Sequence, residues 1–294
     1  MSFLSGFVAI IGPPNVGKST LLNRILGTKL AIVSPKPQTT RNRILGIYHG
    51  EGFQIAFMDT PGIHKTRTAL HKSMVESALS TLHEVDILLL MIEMGPGHDP
   101  ETSSMIGRLK GVEKTSILVI NKIDRGPKTQ LLPAMDRLSR LHPFDAIIPV
   151  SALTGEGVDI LLEKLKQRLR PGPQFFPDDM ETDLSETFLV SEIIREKIYA
   201  NLRQEVPYSS AVIVEKMEEN PGQDLLSISA RIHVETDSQK GMLIGKGGRM
   251  IRTIGRSARL DLEKMFSVRV YLDLAVRVEK NWSKDARALR RLGY

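Results

Sequence analysis

The sequence predicts an α/β domain with a mostly parallel sheet, followed by a smaller α+β domain. In the first half, an apolar strand ends in the phosphate-binding pattern G-x-x-x-x-G-K-[ST], spelled Gly12-Pro-Pro-Asn-Val-Gly-Lys-Ser19, and helical spacing follows it. In the second half, a helix and two strands precede a glycine-rich tetrapeptide that lies between two further helices. Each half therefore has its own glycine loop and its own order of elements.

Composition limits what both domains can be. The chain has 294 residues, 41% hydrophobic and 25% charged, which is ordinary for a globular protein with two domains. Its lack of cysteine excludes disulfides and thiolate metal sites. We find no run of about eighteen apolar residues and no secretory signal, so we expect a cytoplasmic protein. A formal charge of +6 and a pI near 9.4 favour a polyanionic partner.

The predicted phosphate loop begins where the strand at 7–11 ends. Gly12 and Gly17 let the backbone curl so that its N–H groups point at the phosphates of a nucleotide. Lys18 is expected to reach the β- and γ-phosphates, and the Ser19 hydroxyl to bind Mg²⁺. The residues assigned to nucleotide binding in this loop are Gly12, Pro13, Pro14, Asn15, Val16, Gly17, Lys18, Ser19 and Thr20.

Two further segments should complete the phosphate site. The proline-broken loop at 31–43 carries two threonines, of which we choose Thr40 over Thr39 as the one that binds Mg²⁺ and senses the γ-phosphate. A hairpin of strands at 44–49 and 54–58 then ends in Asp59-Thr-Pro-Gly62, where Asp59 would hold Mg²⁺ through water. The predicted catalytic residues are Lys18, Thr40, Asp59 and Gly62, and binding also includes Thr60, Pro61 and Ile63.

The base site follows a later strand. We predict a helix at 68–83, strands at 85–92, 115–120 and 146–150, and a helix at 156–169. Asp124 offers two acceptors, which match the N1–H and amino group of guanine, whereas adenine would cost about 1.5–3 kcal/mol for each hydrogen bond that it cannot make. Asn121 would tie this loop to the phosphate loop, and a backbone N–H of Ser151-Ala152 would meet guanine O6. The predicted base-binding residues are Asn121, Lys122, Ile123, Asp124, Ser151 and Ala152.

Over residues 1–170 these motifs, in this order, resemble the small GTPases of the translation-factor class. The resemblance implies a P-loop GTPase that hydrolyses GTP with Mg²⁺. Ile63 stands where Ras-like proteins have a water-orienting glutamine, so the chain is similar to the subgroup with a hydrophobic residue there. Asn15 is similar to the asparagine with which potassium-activated relatives hold a cation, which adds K⁺ to the expected cofactors. The alternative for Asn15 is a turn residue without a ligand.

The second half begins after a proline-rich acidic stretch at 171–184 that predicts a linker. We expect a helix at 186–204, strands at 208–217 and 225–236, a short helix ending at Ile244, a helix at 249–265 and a strand at 268–278. With the glycine loop between the two later helices, this order resembles the type II KH module, here 185–280. The residues expected to contact a single RNA strand are Gly245, Lys246, Gly247, Gly248, Arg249, Arg252 and Arg256. The alternative is a helix whose arginines are merely solvated.

A basic helix is predicted at 281–294. Packing through Trp282 is the commonest fate for a lone tryptophan, and contact with RNA or an anionic membrane stays open.

One GTPase domain followed by one KH domain resembles, over essentially the whole chain, a family of bacterial ribosome-assembly GTPases. The resemblance implies a protein that binds the 3′ end of 16S ribosomal RNA, helps the 30S subunit mature and contacts the inner membrane peripherally. We expect it to be a monomer. A non-catalytic RNA-binding adaptor and a membrane-linked cell-cycle switch with a protein target remain alternatives. A tandem GTPase is excluded because the sequence has one phosphate loop.

Overall fold

The computed structural model describes residues 2–34, 36, 40–60, 85–95, 100–109, 111–220, 222 and 224–294. The predicted helix at 68–83 lies outside these ranges. So do four of the residues discussed above, namely Thr39, Pro61, Gly62 and Ile63. The described chain forms two units, one built mainly from residues up to Asp183 and one mainly from Leu184 to Tyr294.

A seven-stranded sheet forms the centre of the first unit. Its strands are β1 (Leu4–Ile11), β2 (Ile44–Gly50), β3 (Phe53–Asp59), β4 (Ile87–Glu93), β5 (Thr115–Asn121), β6 (Ala146–Pro149) and β7 (Arg170–Pro171). Their spatial order is β2-β3-β1-β4-β5-β6, with β7 beside β1. Neighbours on this sheet are parallel except for β2 with β3 and β7 with β1. The mostly parallel sheet predicted from the sequence is confirmed.

Helices cover this sheet because its central strands are apolar on both faces. Every residue of β4 is buried except the last, and β5 is buried from its second residue onward. The described helices of the first unit are α1 (Lys18–Leu26), α2 (Pro100–Leu109), α3 (Leu131–Ser139) and α4 (Val158–Lys166). We predicted α1 and α4 individually, whereas α2 and α3 were not predicted as separate helices.

The carboxyl ends of the parallel strands meet at one edge of the sheet. In the register, Ile10 pairs with Asp59 and Glu93 pairs with Asn121, so the segments that follow β1, β3 and β5 are neighbours. Ligands of open α/β sheets bind at this edge. The topology therefore gathers the sequence motifs that were predicted to act together.

The stretch expected to be a linker is bound to the first unit along much of its length. The side-chain oxygen of Gln54 accepts hydrogen bonds from the N–H groups of Phe175 (3.0 Å) and Phe176 (3.1 Å). Farther along, Ile47 N donates to Glu181 O at 2.8 Å, which satisfies an N–H of the outermost strand, β2. Residues 175–182 therefore form a strap along this side of the sheet, and a free linker could begin only near Asp183.

The second unit has the α-β-β-α-α-β order predicted for a type II KH module. Its elements are α5 (Glu186–Asn201), β8 (Ala211–Asn220), β9 (Leu225–Val234), α6 (Asp237–Ile244), α7 (Arg249–Phe266), β10 (Arg269–Val278) and α8 (Ala286–Arg291). The sheet runs β10-β9-β8, with β10 parallel and β8 antiparallel to the central β9. Ser185 and Thr236 cap α5 and α6 by accepting hydrogen bonds from backbone N–H groups.

The predicted basic helix at 281–294 is a short helical turn followed by α8, and it packs on the second unit. Trp282 is completely buried, and its indole N–H donates to the carbonyl of Ser209 at 3.1 Å. The rings of Trp282 and Tyr294 stack with their centroids 5.8 Å apart. Trp282 is thus an anchor for the carboxyl-terminal segment. Among the described residues, every helix is too short or too polar to cross a bilayer.

Candidate functional site

The phosphate loop connects β1 to α1 and needs both of its glycines. A Cβ atom on Gly12 would lie 2.3 Å from the carbonyl oxygen of Met91, and one on Gly17 would lie 2.4 Å from Asn121 Nδ2. Gly17 also has a φ of +99°, in the region that favours glycine. The close approach of these neighbouring groups thus requires both residues, as the sequence pattern predicted.

Lys18 folds over this loop instead of extending into solvent. Its Nζ donates to the carbonyl oxygens of Gly12 (3.0 Å) and Pro13 (2.9 Å). Burial lowers the pKa of Lys18 to about 8, although the nearby charge of Asp59 acts in the opposite direction. The site therefore holds a cation that is poorly compensated by the protein and would be stabilised by an anion.

Ser19, Thr40 and Asp59 meet beside the phosphate loop. Ser19 Oγ donates to Asp59 Oδ2 at 2.7 Å, and Thr40 Oγ1 lies 2.9 Å from Ser19 Oγ and 3.3 Å from Asp59 Oδ2. These are the three residues that the sequence predicted as Mg²⁺ ligands. Their side chains come from α1, from the loop before β2 and from the end of β3.

The environment of Asp59 fits a hard cation. Asp59 is fully buried, and within the described part of the chain its Oδ1 has no hydrogen-bond partner. Burial raises the pKa of Asp59, while Lys18 and hydrogen bonds from Ser19, Thr40 and the Thr60 backbone lower it. Two hydroxyls and an incompletely satisfied carboxylate form an all-oxygen donor set, which is the kind that Mg²⁺ prefers. Thr60 Oγ1 donates to Ile10 O at 3.0 Å and fixes this corner to β1.

Asn121 links the base site to the phosphate site. Its Nδ2 donates to the Val16 carbonyl at 2.7 Å, which confirms that Asn121 ties its loop to the phosphate loop. Its Oδ1 accepts a hydrogen bond from the Ala152 N–H at 2.9 Å. One buried side chain thus joins three loops that were predicted to bind one ligand.

Asp124 is positioned by a neighbour that was also predicted. Ser151 Oγ donates to Asp124 Oδ1 at 2.6 Å, and the Asp124 side chain remains exposed. Lys122 and Ile123 lie between Asn121 and Asp124. Lys122 has a left-handed backbone with φ of 64°, and the N–H of the buried Ile123 donates to Val150 O at 3.3 Å. The carboxylate is therefore accessible for base recognition while its orientation is restricted.

The two backbone N–H groups from which the donor to guanine O6 was predicted both make hydrogen bonds within the protein. Ser151 N donates to Glu156 O at 2.9 Å, and Ala152 N already donates to Asn121 Oδ1. Both N–H groups therefore have a hydrogen-bond partner, one within the same loop and one in the Asn121 side chain. A contact from Ala152 to a base would have to share its hydrogen with Asn121.

Two positioning residues on α1 were missed from the sequence. Asn23 Oδ1 accepts hydrogen bonds from the N–H groups of Leu30 (3.1 Å) and Ala31 (2.9 Å), and so holds the start of the loop that leads to Thr40. Arg24 donates to the carbonyls of Ala152, at 3.3 Å, and Leu153. Neither residue belongs to a motif, so only their position directly after the phosphate loop could have suggested a role.

Asn15 lies in the phosphate loop with a left-handed backbone, φ of 63°. Asparagine tolerates this conformation better than most residues, which fits the turn role that we considered. The potassium role of Asn15 stays a prediction.

The glycine loop of the second unit has positive φ at Gly245, Gly247 and Gly248, with values of 71°, 59° and 76°. A Cβ on Gly245 would lie 2.8 Å from the Met250 Cβ, whereas one on Gly247 would meet open space. Gly247 is thus the point of the loop where a ligand can approach the backbone most closely.

Basic side chains lie in this loop and along the first turns of α7. Arg252 donates to Gly248 O at 3.2 Å and to Gly247 O, so it braces the loop from the first turns of α7. The opposite face of α7 is buried through Ile254, Ala258 and Leu262. The exposed bases at this end of the unit include the four that the sequence singled out: Lys246, Arg249, Arg252 and Arg256.

Comparisons with known proteins match both units. The family model of 50S ribosome-binding GTPases matches residues 7–122, and the KH domain model matches residues 205–283. GTPase Era of Syntrophus aciditrophicus is 54% identical over 99% of this chain and 95% of its own length. GTPase Era of Geobacter metallireducens is 51% identical over 99% of this chain and 98% of its own.

Two solved structures are similar over nearly the whole chain. One is a variant of Aquifex aeolicus Era bound to GDP·AlF4⁻, with 41% identity, a TM-score of 0.96 and 99% of each chain covered. The other is Era in complex with MgGDPNP and nucleotides 1506–1542 of 16S ribosomal RNA, with the same identity, TM-score and coverage.

Proposed function

The chain belongs to the Era family of GTPases, and we propose that it is a GTP-dependent switch that binds the 3′ end of 16S ribosomal RNA and assists maturation of the 30S subunit. As a member of this family it binds and hydrolyses GTP. The observation that carries the RNA part is the open glycine loop at 245–248 with its surrounding bases, in a chain whose solved relative holds a 16S RNA segment.

In the nucleotide site, Lys18 and the loop N–H groups bind the β- and γ-phosphates. Ser19, Thr40 and Asp59 would hold Mg²⁺, which supplies positive charge to the phosphate oxygens when it is bound. Because Lys18 is buried, its positive charge is unfavourable by itself and becomes favourable beside phosphates. The interaction of Lys18 with the phosphates therefore contributes much of the binding free energy, and GTP and GDP differ in their phosphates.

Guanine selection rests on Asp124, which Ser151 orients, and on Asn121, which holds the neighbouring loops. A base without an N1–H and an amino group would leave the carboxylate unpaired. Gly62 is proposed to bind the γ-phosphate through its N–H, with Pro61 and Ile63 beside it.

Asn15 is proposed to hold K⁺ beside the phosphates, where the cation would supply charge during hydrolysis. Single-turnover hydrolysis in potassium and in sodium tests this proposal. We expect faster turnover in potassium for the wild type and an equal rate in both salts for Asn15→Ala. Equal rates for the wild type would contradict the role.

In the RNA site, left-handed glycines let a single strand approach the N-terminus of α7, where Lys246, Arg249, Arg252 and Arg256 meet phosphates. We propose that GTP orders the loop containing Thr40, so that the affinity for RNA depends on the nucleotide bound.

The protein would act as a monomer in the cytoplasm, on the 30S subunit. Peripheral contact with the inner membrane is a separate proposal. The relatives favour this function over a membrane-linked switch with a protein target and over a non-catalytic adaptor.

The test is to recover and sequence RNA crosslinked to the purified full chain, loaded with a non-hydrolysable GTP analogue or with GDP. We expect 16S RNA fragments from the 3′ end to be enriched, and their amount to differ between the two nucleotides. Recovery of RNA without enrichment of 16S sequences would contradict the proposed partner.

A further inference from the structure

The carboxyl-terminal segment of the second unit presents a basic surface that the nucleotide site and the glycine loop do not use. We call it the tail surface and define it by four exposed side chains, Lys280, Lys284, Arg287 and Arg290. From 279 to 291 the chain has five bases against two acids. The segment therefore carries a local excess of positive charge within a unit that also holds many acids.

The apolar residues of this segment face the protein. Trp282 is fully buried, and Ala288, Leu289 and Leu292 are each less than a tenth exposed. Because these residues are used for packing, the outward face of α8 is left to charged side chains. Insertion of an amphipathic helix into a bilayer needs an outward apolar face. The tail surface lacks this feature.

The two acids of the segment already have partners. Glu279 Oε2 lies 2.8 Å from His233 Nδ1, and Glu279 also pairs with Arg291. Asp285 caps α8 by accepting hydrogen bonds from the N–H groups of Arg287 (2.7 Å) and Ala288 (3.3 Å), and these bonds lower its pKa. Both carboxylates are held by these contacts, and the five bases of the segment outnumber them, so the tail surface keeps an excess of positive charge.

The tail surface and the glycine loop lie at opposite ends of α6. Glu279 N donates to Val234 O at 2.8 Å, and Ser283 Oγ donates to Glu235 Oε1 at 2.6 Å, so the segment packs where α6 begins. The glycine loop follows the last residue of α6, a helix of eight residues. Such a helix is about 12 Å long. A strand held at the glycine loop could therefore reach the tail surface within a few nucleotides.

We propose that the tail surface is a second phosphate-binding site for the same RNA, and this inference rests on the RNA-binding function proposed above. Lys280, Lys284, Arg287 and Arg290 bind backbone phosphates beyond the nucleotides held at the glycine loop. The contacts are electrostatic and independent of base identity, since phosphate contacts fix the position of a nucleic acid without reading its sequence.

The test compares three forms of the full chain with an RNA from the 3′ end of 16S. The first is wild type, the second is Lys284→Gln/Arg287→Gln/Arg290→Gln, and the third is the control Arg137→Gln/Arg140→Gln/Lys164→Gln, which removes the same charge from exposed positions of the first unit. Kd is measured over a range of salt concentrations. For the tail variant the salt slope should fall by about 2, since each phosphate contact with a single strand contributes about 0.7, and Kd should rise at least about ten-fold.

The control variant should keep the wild-type Kd and slope. A single variant, Arg287→Gln, guards against a folding defect in the triple variant, and it should lower the slope by about 0.7. An unchanged salt slope in both tail variants would overturn the inference. If a glycine-loop variant, Gly247→Asp, lost RNA binding in the same experiment, the proposed RNA-binding function would still stand. Failure of the wild type to bind this RNA would instead refute the proposed function.

A membrane role is measured in the same set of proteins. The probe is a vesicle of phosphatidylglycerol and phosphatidylethanolamine. Loss of vesicle binding in the tail variant, together with unchanged RNA affinity, would overturn the inference in favour of a lipid surface.

Discussion

Asn121 Nδ2 lies 2.7 Å from the carbonyl oxygen of Val16, so a residue of the base-recognition motif holds the phosphate loop directly. The same side chain accepts the N–H of Ala152. Recognition of the base and binding of the phosphates therefore share one buried amide. Damage to this amide should affect affinity for GTP and GDP alike.

For Asn121→Ala we expect weaker binding of both nucleotides. The variant cannot form two buried hydrogen bonds, which are worth about 0.5–1.5 kcal/mol each, so the Kd values should rise about 5- to 150-fold. Titration with a fluorescent GTP or GDP analogue measures the change. Asn220→Ala, which alters an exposed residue of the second unit, is the control. A selective loss of GTP affinity alone would contradict this role of Asn121.

Asp124→Asn should move the base preference from guanine toward xanthine. The amide presents a donor where the carboxylate presented an acceptor, so the match to the N1–H and amino group of guanine is lost. GTP affinity should fall by about 1.5–3 kcal/mol for each hydrogen bond that the amide cannot make, while affinity for xanthosine triphosphate rises. Competition between the two triphosphates measures this. Ser151→Ala should weaken binding without reversing the preference. Normal guanine selectivity in Asp124→Asn would refute the base assignment.

Lys18→Met should abolish nucleotide binding and stabilise the nucleotide-free protein at pH 7. Burial lowers the pKa of Lys18 from 10.5 to about 8, which corresponds to a penalty of about 3 kcal/mol for the buried charge. Between pH 8 and 10.5 the unfolded chain binds more protons at this residue, so the wild type gains stability as pH rises. The advantage of Lys18→Met over the wild type should therefore be full below pH 8 and shrink above it. Urea unfolding across this range measures it, and a difference independent of pH would contradict the prediction.

Asp59→Asn should separate magnesium dependence from nucleotide binding. The substitution removes the buried carboxylate that Ser19 and Thr40 contact. Of these three residues, Asp59 is the one that carries a negative charge. Loss of such electrostatic stabilisation typically costs about 10²–10³ in turnover. GDP binding in EDTA should stay close to that of the wild type. A GTPase rate that keeps its normal magnesium dependence would argue against the cluster as the cation site.

Gly247→Asp should weaken RNA binding while GTP binding is retained. Space is open around Gly247, so the new side chain fits sterically, and its carboxylate would repel phosphates. The left-handed φ of 59° adds a strain of about 1 kcal/mol. Gly245→Asp is the contrasting variant, because its Cβ would clash with Met250 and destabilise the unit itself. Thermal unfolding together with RNA titration distinguishes the two effects. An unchanged RNA affinity in Gly247→Asp would refute the RNA site.

The motifs could be predicted from local sequence, but the contacts between segments far apart in the chain could not. The strand before Gly12 and the meeting of Ser19, Thr40 and Asp59 could be predicted because spacing, chain order and parallel strands place them at one edge. The bond between Gln54 and the Phe175 amide could not, because 121 residues separate them and no periodicity relates them. The engaged N–H of Ala152 escaped prediction for the same reason, since it depends on where the Asn121 side chain points.

The strap at 175–182 has a consequence for how the first unit can be produced alone. A fragment that stops at residue 170 would leave the N–H of Ile47 and the side-chain oxygen of Gln54 without their partners. Uncovered outer strands recruit strands from other molecules and favour precipitation. A GTPase fragment made for expression should therefore extend to Asp183. During synthesis, the hydrogen bonds to Ile47 and Gln54 can form only after residues 175–181 have left the ribosome.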